Sequence, residues 1–127
     1  MNNLILSLVA GLGATLAIGV LSYAEVSLTE VVLLMAPFGA TAVLVFGVPS
    51  SPLAQPKNVI IGHFITASIG IAFSQYVEIT PITLAIATGL GVSAMLITKT
   101  THPPAGANPI LIMASGQGWS FLFTPVL

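Results

Sequence analysis

The sequence predicts an all-α polytopic membrane helix bundle, and three observations lead to that class. Of its residues 56% are hydrophobic and 4% are charged, with a mean hydropathy of +1.10, whereas a soluble domain carries about 25% charged residues. The five charged residues divide the chain into uncharged intervals that reach the ~20 residues needed to cross a bilayer. The apolar runs lack the alternation of a membrane β-barrel. We expect four to five crossings in a single domain, residues 1–127.

Composition excludes several kinds of site. The chain has no cysteine, which removes disulfides, thiol nucleophiles and cysteine-ligated metals. Its two histidines and three acids are widely spaced, and the acids fall at predicted helix ends, so neither a metal cluster nor a nucleophile with its base is evident. The net charge of −1 indicates no nucleic-acid surface. We therefore expect no enzymatic activity, catalytic residue, metal or cofactor, and no nucleic-acid partner.

Three of the predicted helices carry small residues at four-residue spacing, which allows helices to approach closely. The first helix spans about 3–23 and is retained rather than cleaved, the third spans about 58–76, and the fourth begins at Thr80-Pro81, an N-cap followed by a first-turn proline. The stripes are Gly11, Thr15 and Gly19; Gly62, Thr66, Gly70 and Ser74; and Ala85, Gly89 and Ser93. We interpret them as packing surfaces, either within one subunit or between the subunits of a homo-oligomer.

Two segments interrupt the helical pattern. The second helix, about 31–48, contains Pro37-Phe38-Gly39-Ala40, so a kink near Ala36 is expected. The stretch 101–109 has three prolines, a glycine, an imidazole and an amide. Non-helical backbone at membrane depth is tolerated only where protein buries it or water lines it, so this stretch favours a lined pathway. The alternative is a pair of simple kinks filled by neighbouring side chains.

The two broken segments share the pattern Pro-x-Gly-Ala followed by a small polar residue and an aliphatic run. The crossings between them make them run in opposite directions, as in an inverted repeat. Helix N-termini offer unpaired N–H groups that suit an anion, so we expect one near Gly39 and Gly106. The candidate pathway residues are Pro37, Gly39, Thr41, Lys57, His63, His102, Pro103, Pro104, Gly106 and Asn108.

The ionisable residues bear on the pathway and on topology. His102 is a candidate hydrogen-bond donor or proton-coupled gate, although its closeness to Lys99 also allows it to reach the interface. His63 either lines the inner mouth or extends toward the surface near Lys57. Both lysines fall on one side and anchor it in the cytoplasm together with the N-terminus. The acids form an outer rim on the other side: Glu25, Glu30 and Glu78.

The C-terminal part predicts a half-helix. After Asn108 the apolar run reaches only Ala114 before the turn-forming residues 115–118, and a new apolar run begins at Phe121 shortly before Leu127. We expect a last crossing to be missing from this sequence.

Several stretches together resemble the HPP family of small integral membrane proteins, named for its His-Pro-Pro motif. They are Ala36-Pro-Phe-Gly-Ala-Thr-Ala, Phe46-Gly-Val-Pro-Ser-Ser-Pro-Leu-Ala-Gln-Pro-Lys-Asn58, Gly62-His63 and Thr101-His-Pro-Pro-Ala-Gly-Ala-Asn-Pro109. The resemblance implies about four membrane helices. It also implies functional weight at further motif positions, namely Ser50, Ser51, Gln55 and Asn58.

The resemblance also implies a substrate, because cyanobacterial and chloroplast members are implicated in nitrite transport. We expect a transporter of a small inorganic anion, nitrite first, acting as a channel or a carrier. With no transit peptide in view, the expected location is a bacterial inner membrane, with cyanobacteria among the sources. The alternative is a non-transporting membrane sensor or assembly module.

Overall fold

The computed structural model describes residues 3–27, 35–123 and 125–126, and within these ranges it is helical without strands. Helix α1 spans Asn3–Ser27, α2 Pro37–Ala42, α3 Pro56–Tyr76, α4 Pro81–Thr98 and α5 Asn108–Ser115. Three short 3-10 turns, Pro52–Ala54, Pro103–Ala107 and Trp119–Leu122, lie between or after them. Helices α1, α3 and α4 are long and apolar enough to cross a membrane. The all-α prediction is confirmed.

The helix ends follow local sequence signals. Thr80 and Thr83 form a reciprocal capping box before Pro81, which confirms the predicted start of the fourth helix. Lys99 ends α4 in the left-handed conformation at φ 58°, and Gly116 ends α5 at φ 67°. Helix α1 continues to Ser27, past the predicted end, so Glu25 lies within a helix.

Helix α3 is the central element, and α4 and α5 pack against it. Its glycines permit the closest approaches: a Cβ at Gly62 would lie 2.9 Å from the Thr100 carbonyl oxygen, and one at Gly70 would lie 2.9 Å from Pro109 Cα. The adjoining apolar core consists of Met35, Ala67, Ile71, Ile112, Phe121 and Leu122. The α3 stripe is therefore a packing surface, as predicted.

The stripe predicted for α4 does not pack within the subunit, and its use between subunits stays a prediction. Ala85, Gly89 and Ser93 are exposed, and the buried face is instead Ala87, Gly91 and Met95. Gly91 sets this orientation, because a Cβ there would lie 3.1 Å from the Thr66 methyl group, so only glycine admits α3 this closely. Small size alone could not distinguish two faces that both carry small residues.

Helix α1 also packs differently from the stripe prediction. No described atom lies within 4 Å of a Cβ built at Gly11 or Gly19, whereas one at Gly13 would meet the Phe46 ring at 2.6 Å. Helix α1 thus meets Phe46 of the π-helical segment 43–47 through Gly13, and it also contacts α2. Packing of the stripe formed by Gly11, Thr15 and Gly19 between the subunits of a homo-oligomer stays a prediction.

The first break is a helix start within the described residues. Pro37 occupies the first turn of α2, where a missing N–H is tolerated, and α2 continues into a π-helical turn, Val43–Gly47. Residues 28–34, which include Glu30 and the start of the predicted second helix, lie outside the described residues. The following loop is held by its own polar groups: Gln55 Nε2 donates to the Ser51 carbonyl at 2.8 Å.

Candidate functional site

Polar side chains from three parts of the chain meet inside the bundle. Thr41 comes from α2, His63 from the middle of α3, His102 from the extended segment before the Pro103–Ala107 turn, and Asn108 from the start of α5. Both imidazoles and the Asn108 amide are buried. The two broken segments therefore deliver polar groups to a common point on α3. We call Thr41, His63, His102 and Asn108 the polar chain.

The polar chain is continuous in hydrogen-bond distances. The Thr41 hydroxyl lies 3.0 Å from His63 Nε2 and 3.0 Å from His102 Nε2. His102 Nδ1 lies 2.7 Å from the Leu53 carbonyl oxygen, and His63 Nδ1 lies 2.8 Å from Asn108 Nδ2. The two imidazole rings are edge to face with centroids 5.0 Å apart. A single hydroxyl thus bridges two histidines that are distant in sequence.

The partners at the two ends fix where the protons lie. The Leu53 carbonyl can only accept, so His102 carries its proton on Nδ1 and leaves Nε2 as an acceptor. The Asn108 NH2 group donates to His63 Nδ1, so neutral His63 carries its proton on Nε2. Thr41 then accepts from His63 and donates to His102, whose Nε2 at 3.0 Å is closer than the alternative acceptor, the Pro37 carbonyl oxygen at 3.2 Å. Every bond from Asn108 to Leu53 has one donor and one acceptor while both imidazoles are neutral.

The Asn108 amide has two donors that are both used and one oxygen that has no partner. Its Nδ2 also donates to Thr66 Oγ1 at 3.1 Å, and the Thr66 hydroxyl in turn donates to the Gly62 carbonyl at 2.9 Å. Its Oδ1 is the one buried side-chain polar atom in the described part of the chain with no hydrogen-bond partner. An unpaired buried oxygen costs about 1–3 kcal/mol, so its retention favours a bound ligand or water.

The segment that carries His102 is held against α3 by specific contacts. Asn58 Nδ2 donates to the Thr101 carbonyl at 2.8 Å, and Gly62 leaves room for the Thr100 carbonyl. His102 itself has an extended backbone, φ −142°, which turns its ring toward α2. Phe38 packs edge to face on His63 with ring centroids 5.5 Å apart. These contacts restrict both rings to the bridging geometry.

The space between the two broken segments is apolar. A groove of about 790 Å³ separates α2 from the stretch 103–111. The predicted residues Pro37, Pro103 and Pro104 line it, together with Ala36, Ala40, Val43, Leu44, Ala107, Ile110 and Leu111. The polar chain is not part of this lining. The structure therefore separates an apolar groove from a polar cluster, where the sequence predicted one site.

The remaining predicted pathway residues lie away from the polar chain. The Gly39 N–H donates to the Ala36 carbonyl at 3.0 Å, and Gly39 lines a cleft against α1. No described atom lies within 4 Å of a Cβ built at Gly106, so it faces open space. Lys57 is exposed at the start of α3. The structure thus brings together Thr41, His63, His102 and Asn108, and the role of the others stays a prediction.

Two members of this environment were not predicted as pathway residues. Thr66 was interpreted as packing, yet its hydroxyl accepts from Asn108. Its position three residues after His63 on the buried face of α3 was the available signal. The Leu53 carbonyl gave no signal, because a backbone acceptor is independent of the side chain.

The comparisons with known proteins agree with a membrane protein. A family model described as "HPP, transmembrane region" matches residues 2–127. Two relatives named as transmembrane proteins, both from Dictyostelium discoideum, are each 36% identical, over 119 residues (87% of this chain, 38% of the relative) and over 120 residues (88% and 42%). The chain thus spans less than half the length of these relatives. No solved structure matches.

Proposed function

Because the chain belongs to the HPP transmembrane family, we propose that it transports a small inorganic anion, with nitrite as the first substrate to test. The observation that carries the proposal is the buried polar chain at the meeting point of two broken segments. Polar and ionisable groups inside a membrane protein are costly and are typical of substrate and ion pathways. Here they include two imidazoles and an amide, groups whose N–H donors suit an oxyanion once they are released from their partners within the protein.

The placement of the anion follows from which groups remain free. Two backbone N–H donors at the start of α2 already have acceptors within the protein, because Phe38 and Gly39 donate to the Met35 and Ala36 carbonyls at 3.0 Å. The free buried polar atom is the Asn108 amide oxygen, and rotation of this amide by half a turn would place its NH2 group there as a donor. We therefore propose that the anion binds beside Asn108 and His63, in contact with the polar chain, rather than between Gly39 and Gly106.

The test is nitrite uptake into proteoliposomes that contain the purified protein. His102→Ala removes the bond to the Leu53 carbonyl and the bond to Thr41, so uptake should be lost while the protein stays folded. Thr88→Val is the control, because Thr88 is a part-buried α4 residue whose hydroxyl bonds only to the Leu84 carbonyl, 2.9 Å away. It should transport nitrite at the wild-type rate. Normal uptake by His102→Ala would remove His102 from the pathway.

An imposed pH gradient distinguishes two modes of transport. Saturable uptake that follows the proton gradient indicates a carrier, and linear uptake that ignores it indicates a channel. The location in a bacterial inner membrane, with the N-terminus and both lysines in the cytoplasm, belongs to the same proposal. Antibody or protease access to a tag at the N-terminus, in intact and opened cells, tests that orientation.

The second candidate is a non-transporting membrane module, and the apolar groove favours it. The groove presents only apolar residues and prolines from two segments, which is typical of a surface that contacts another helix or lipid. A partner that co-purifies at a fixed ratio, with no flux from folded protein, would support this candidate over transport.

A further inference from the structure

The polar chain can be satisfied in two directions, and the two differ by one proton. In the direction described above, bonds run from Asn108 through His63 and Thr41 to His102. A primary amide that rotates by half a turn exchanges its oxygen and its NH2 group. After this rotation the Asn108 oxygen faces His63 Nδ1. His63 must then carry its proton on Nδ1, and its Nε2 becomes an acceptor.

The direction of the Thr41 hydroxyl then determines the protonation state of His102. This hydroxyl has one proton, so it can donate to only one of three acceptors: His63, His102 or the Pro37 carbonyl oxygen 3.2 Å away. If it donates to His63, it must accept from His102 Nε2. His102 also keeps the proton that it donates to the Leu53 carbonyl, because that oxygen 2.7 Å away accepts only. The reversed chain is therefore complete only when His102 is doubly protonated.

We propose that the polar chain is a proton-linked switch: one proton bound at His102 reverses every hydrogen bond from His102 to Asn108 and turns the Asn108 amide so that its NH2 group, instead of its oxygen, is free to bind an anion. The reversed state retains all the bonds along the polar chain, but Thr66 must donate to the Asn108 oxygen instead of accepting from its nitrogen and so gives up its bond to the Gly62 carbonyl. Its two free N–H groups are costly unless an oxyanion accepts them. The ligand part of this proposal rests on the anion transport proposed above.

The proton balance is a relay of three transfers. A proton from water adds to His63 Nδ1 while the His63 Nε2–H bond breaks. The released proton joins the Thr41 oxygen, and the original Thr41 hydroxyl proton moves to His102 Nε2. His63 gains a proton on Nδ1 and loses one from Nε2, the Thr41 oxygen gains one and loses one, and His102 gains one on Nε2, so the net change is one positive charge at His102. Anion and proton then bind as a pair, which lowers the electrostatic cost of burying either one.

The hydrogen bonds of this relay join two titratable side chains, His63 and His102, and Glu25 of α1 lines a separate cleft with Ala36 and Gly39 of α2. Helix α2 contributes Thr41, the Pro52–Ala54 turn contributes the Leu53 carbonyl, α3 contributes His63, and α5 contributes Asn108. The nearby lysines, Lys57 on α3 and Lys99 at the end of α4, are exposed, as is Glu78. The pH response should therefore come from the two imidazoles.

Histidine nitrogen NMR on the ¹⁵N-labelled full chain in lipid nanodiscs tests the switch directly. At high pH we expect His63 as the Nε2–H tautomer and His102 as the Nδ1–H tautomer. On acidification without any anion, the protonation of His102 should convert His63 to the Nδ1–H tautomer in the same step. A His63 that keeps its Nε2–H tautomer while His102 titrates, or that is itself protonated first, overturns the proposal.

Variants at Thr41 separate the relay from mere proximity. Thr41→Val removes the bridging hydroxyl, so His102 should titrate without changing the His63 tautomer, and Thr41→Ser should restore the coupled change. Thr88→Val should behave as wild type. The wild-type titration decides the matter even if the valine variant fails to fold.

Nitrite binding provides the second arm. In the pH range where one proton is taken up with each anion, apparent nitrite affinity should rise about tenfold per pH unit of acidification, and the rise should vanish in Thr41→Val. Nitrite that binds with no proton uptake overturns the proposed linkage and leaves anion transport standing. If the His63 tautomer changes when His102 is protonated but the protein neither binds nor transports nitrite, the switch is supported and the proposed transport function is contradicted.

Discussion

The contact of α3 with α5 at Gly70 positions Asn108 and gives a prediction whose size follows from the structure. A Cβ at Gly70 would lie 2.9 Å from Pro109 Cα and 3.5 Å from the Asn108 carbonyl oxygen. Because the closest neighbour is backbone, α5 must move outward by about 0.5 Å to reach ordinary contact. Overpacking of this kind costs about 1–3 kcal/mol. We expect Gly70→Ala to lower the free energy of unfolding by that amount.

The same displacement should act on the site. The bonds from Asn108 to His63 and to Thr66 are 2.8 and 3.1 Å long, so an outward shift of α5 lengthens both. Gly70→Ala should therefore also change the His63 nitrogen resonances and reduce nitrite uptake. Unfolding is measured by denaturing detergent titration in mixed micelles, with circular dichroism as the signal.

Gly89→Ala is the matched control. Gly89 is exposed in the interior of α4, and no described atom lies within 4 Å of a Cβ built there. The better helix propensity of alanine should then raise the free energy of unfolding by up to about 1 kcal/mol. Opposite signs for the two glycines support the α3–α5 contact. Equal effects would show that the Gly70 approach does not exist in the protein.

Three further predictions use the same unfolding assay. Lys99→Gly should raise the free energy of unfolding by about 1 kcal/mol, because the left-handed conformation at Lys99 is unfavourable for a residue with a Cβ; a loss would contradict the φ of 58°. Thr80→Ala should lower it by about 1 kcal/mol through loss of the capping box, and Thr80→Ser should restore it. Asn108→Ala should lower it by about 1–3 kcal/mol, because two buried acceptors, His63 Nδ1 and the Thr66 hydroxyl, lose their donor while one unpaired oxygen, Asn108 Oδ1, is removed; a gain in stability would contradict the bond to His63.

The sequence predicted the parts of the fold that depend on local chemistry. The start of α4 at Pro81 and the half-helix that begins at Asn108 follow from an N-cap, prolines and a glycine turn. The pair of broken segments was also visible, because proline leaves a signature that does not depend on packing.

Other features depend on tertiary packing and could not be predicted from the sequence. On α4 the residues at 85, 89 and 93 are as small as those that pack, and only the approach of Thr66 to Gly91 selects the buried face. The pairing of His63 with His102 also needed the structure, because it depends on where α2 inserts Thr41. The sequence indicated two candidate histidines but not that one hydroxyl joins them.

The apolar groove shows a further limit of sequence reasoning. Pro37, Pro103 and Pro104 lie close to polar residues in the two broken segments, so the sequence predicted one site that contains both. In the structure these prolines face the groove, while Thr41 and His102 contact each other and lie against His63 of α3. Neighbours along a chain can point to opposite sides of a turn, and the motif therefore contributes to two surfaces.

The measurement that tests the account most directly is initial nitrite flux into proteoliposomes for wild type, Thr41→Val, Thr41→Ser and Thr88→Val, reconstituted at equal density. Thr41 is the hydroxyl that joins the two histidines, whereas the Thr88 hydroxyl bonds to its own helix. If the polar chain is the pathway, Thr41→Val abolishes flux, Thr41→Ser retains it, and Thr88→Val matches wild type. Wild-type flux through folded Thr41→Val would contradict the account and leave the polar chain as a packing feature of the bundle.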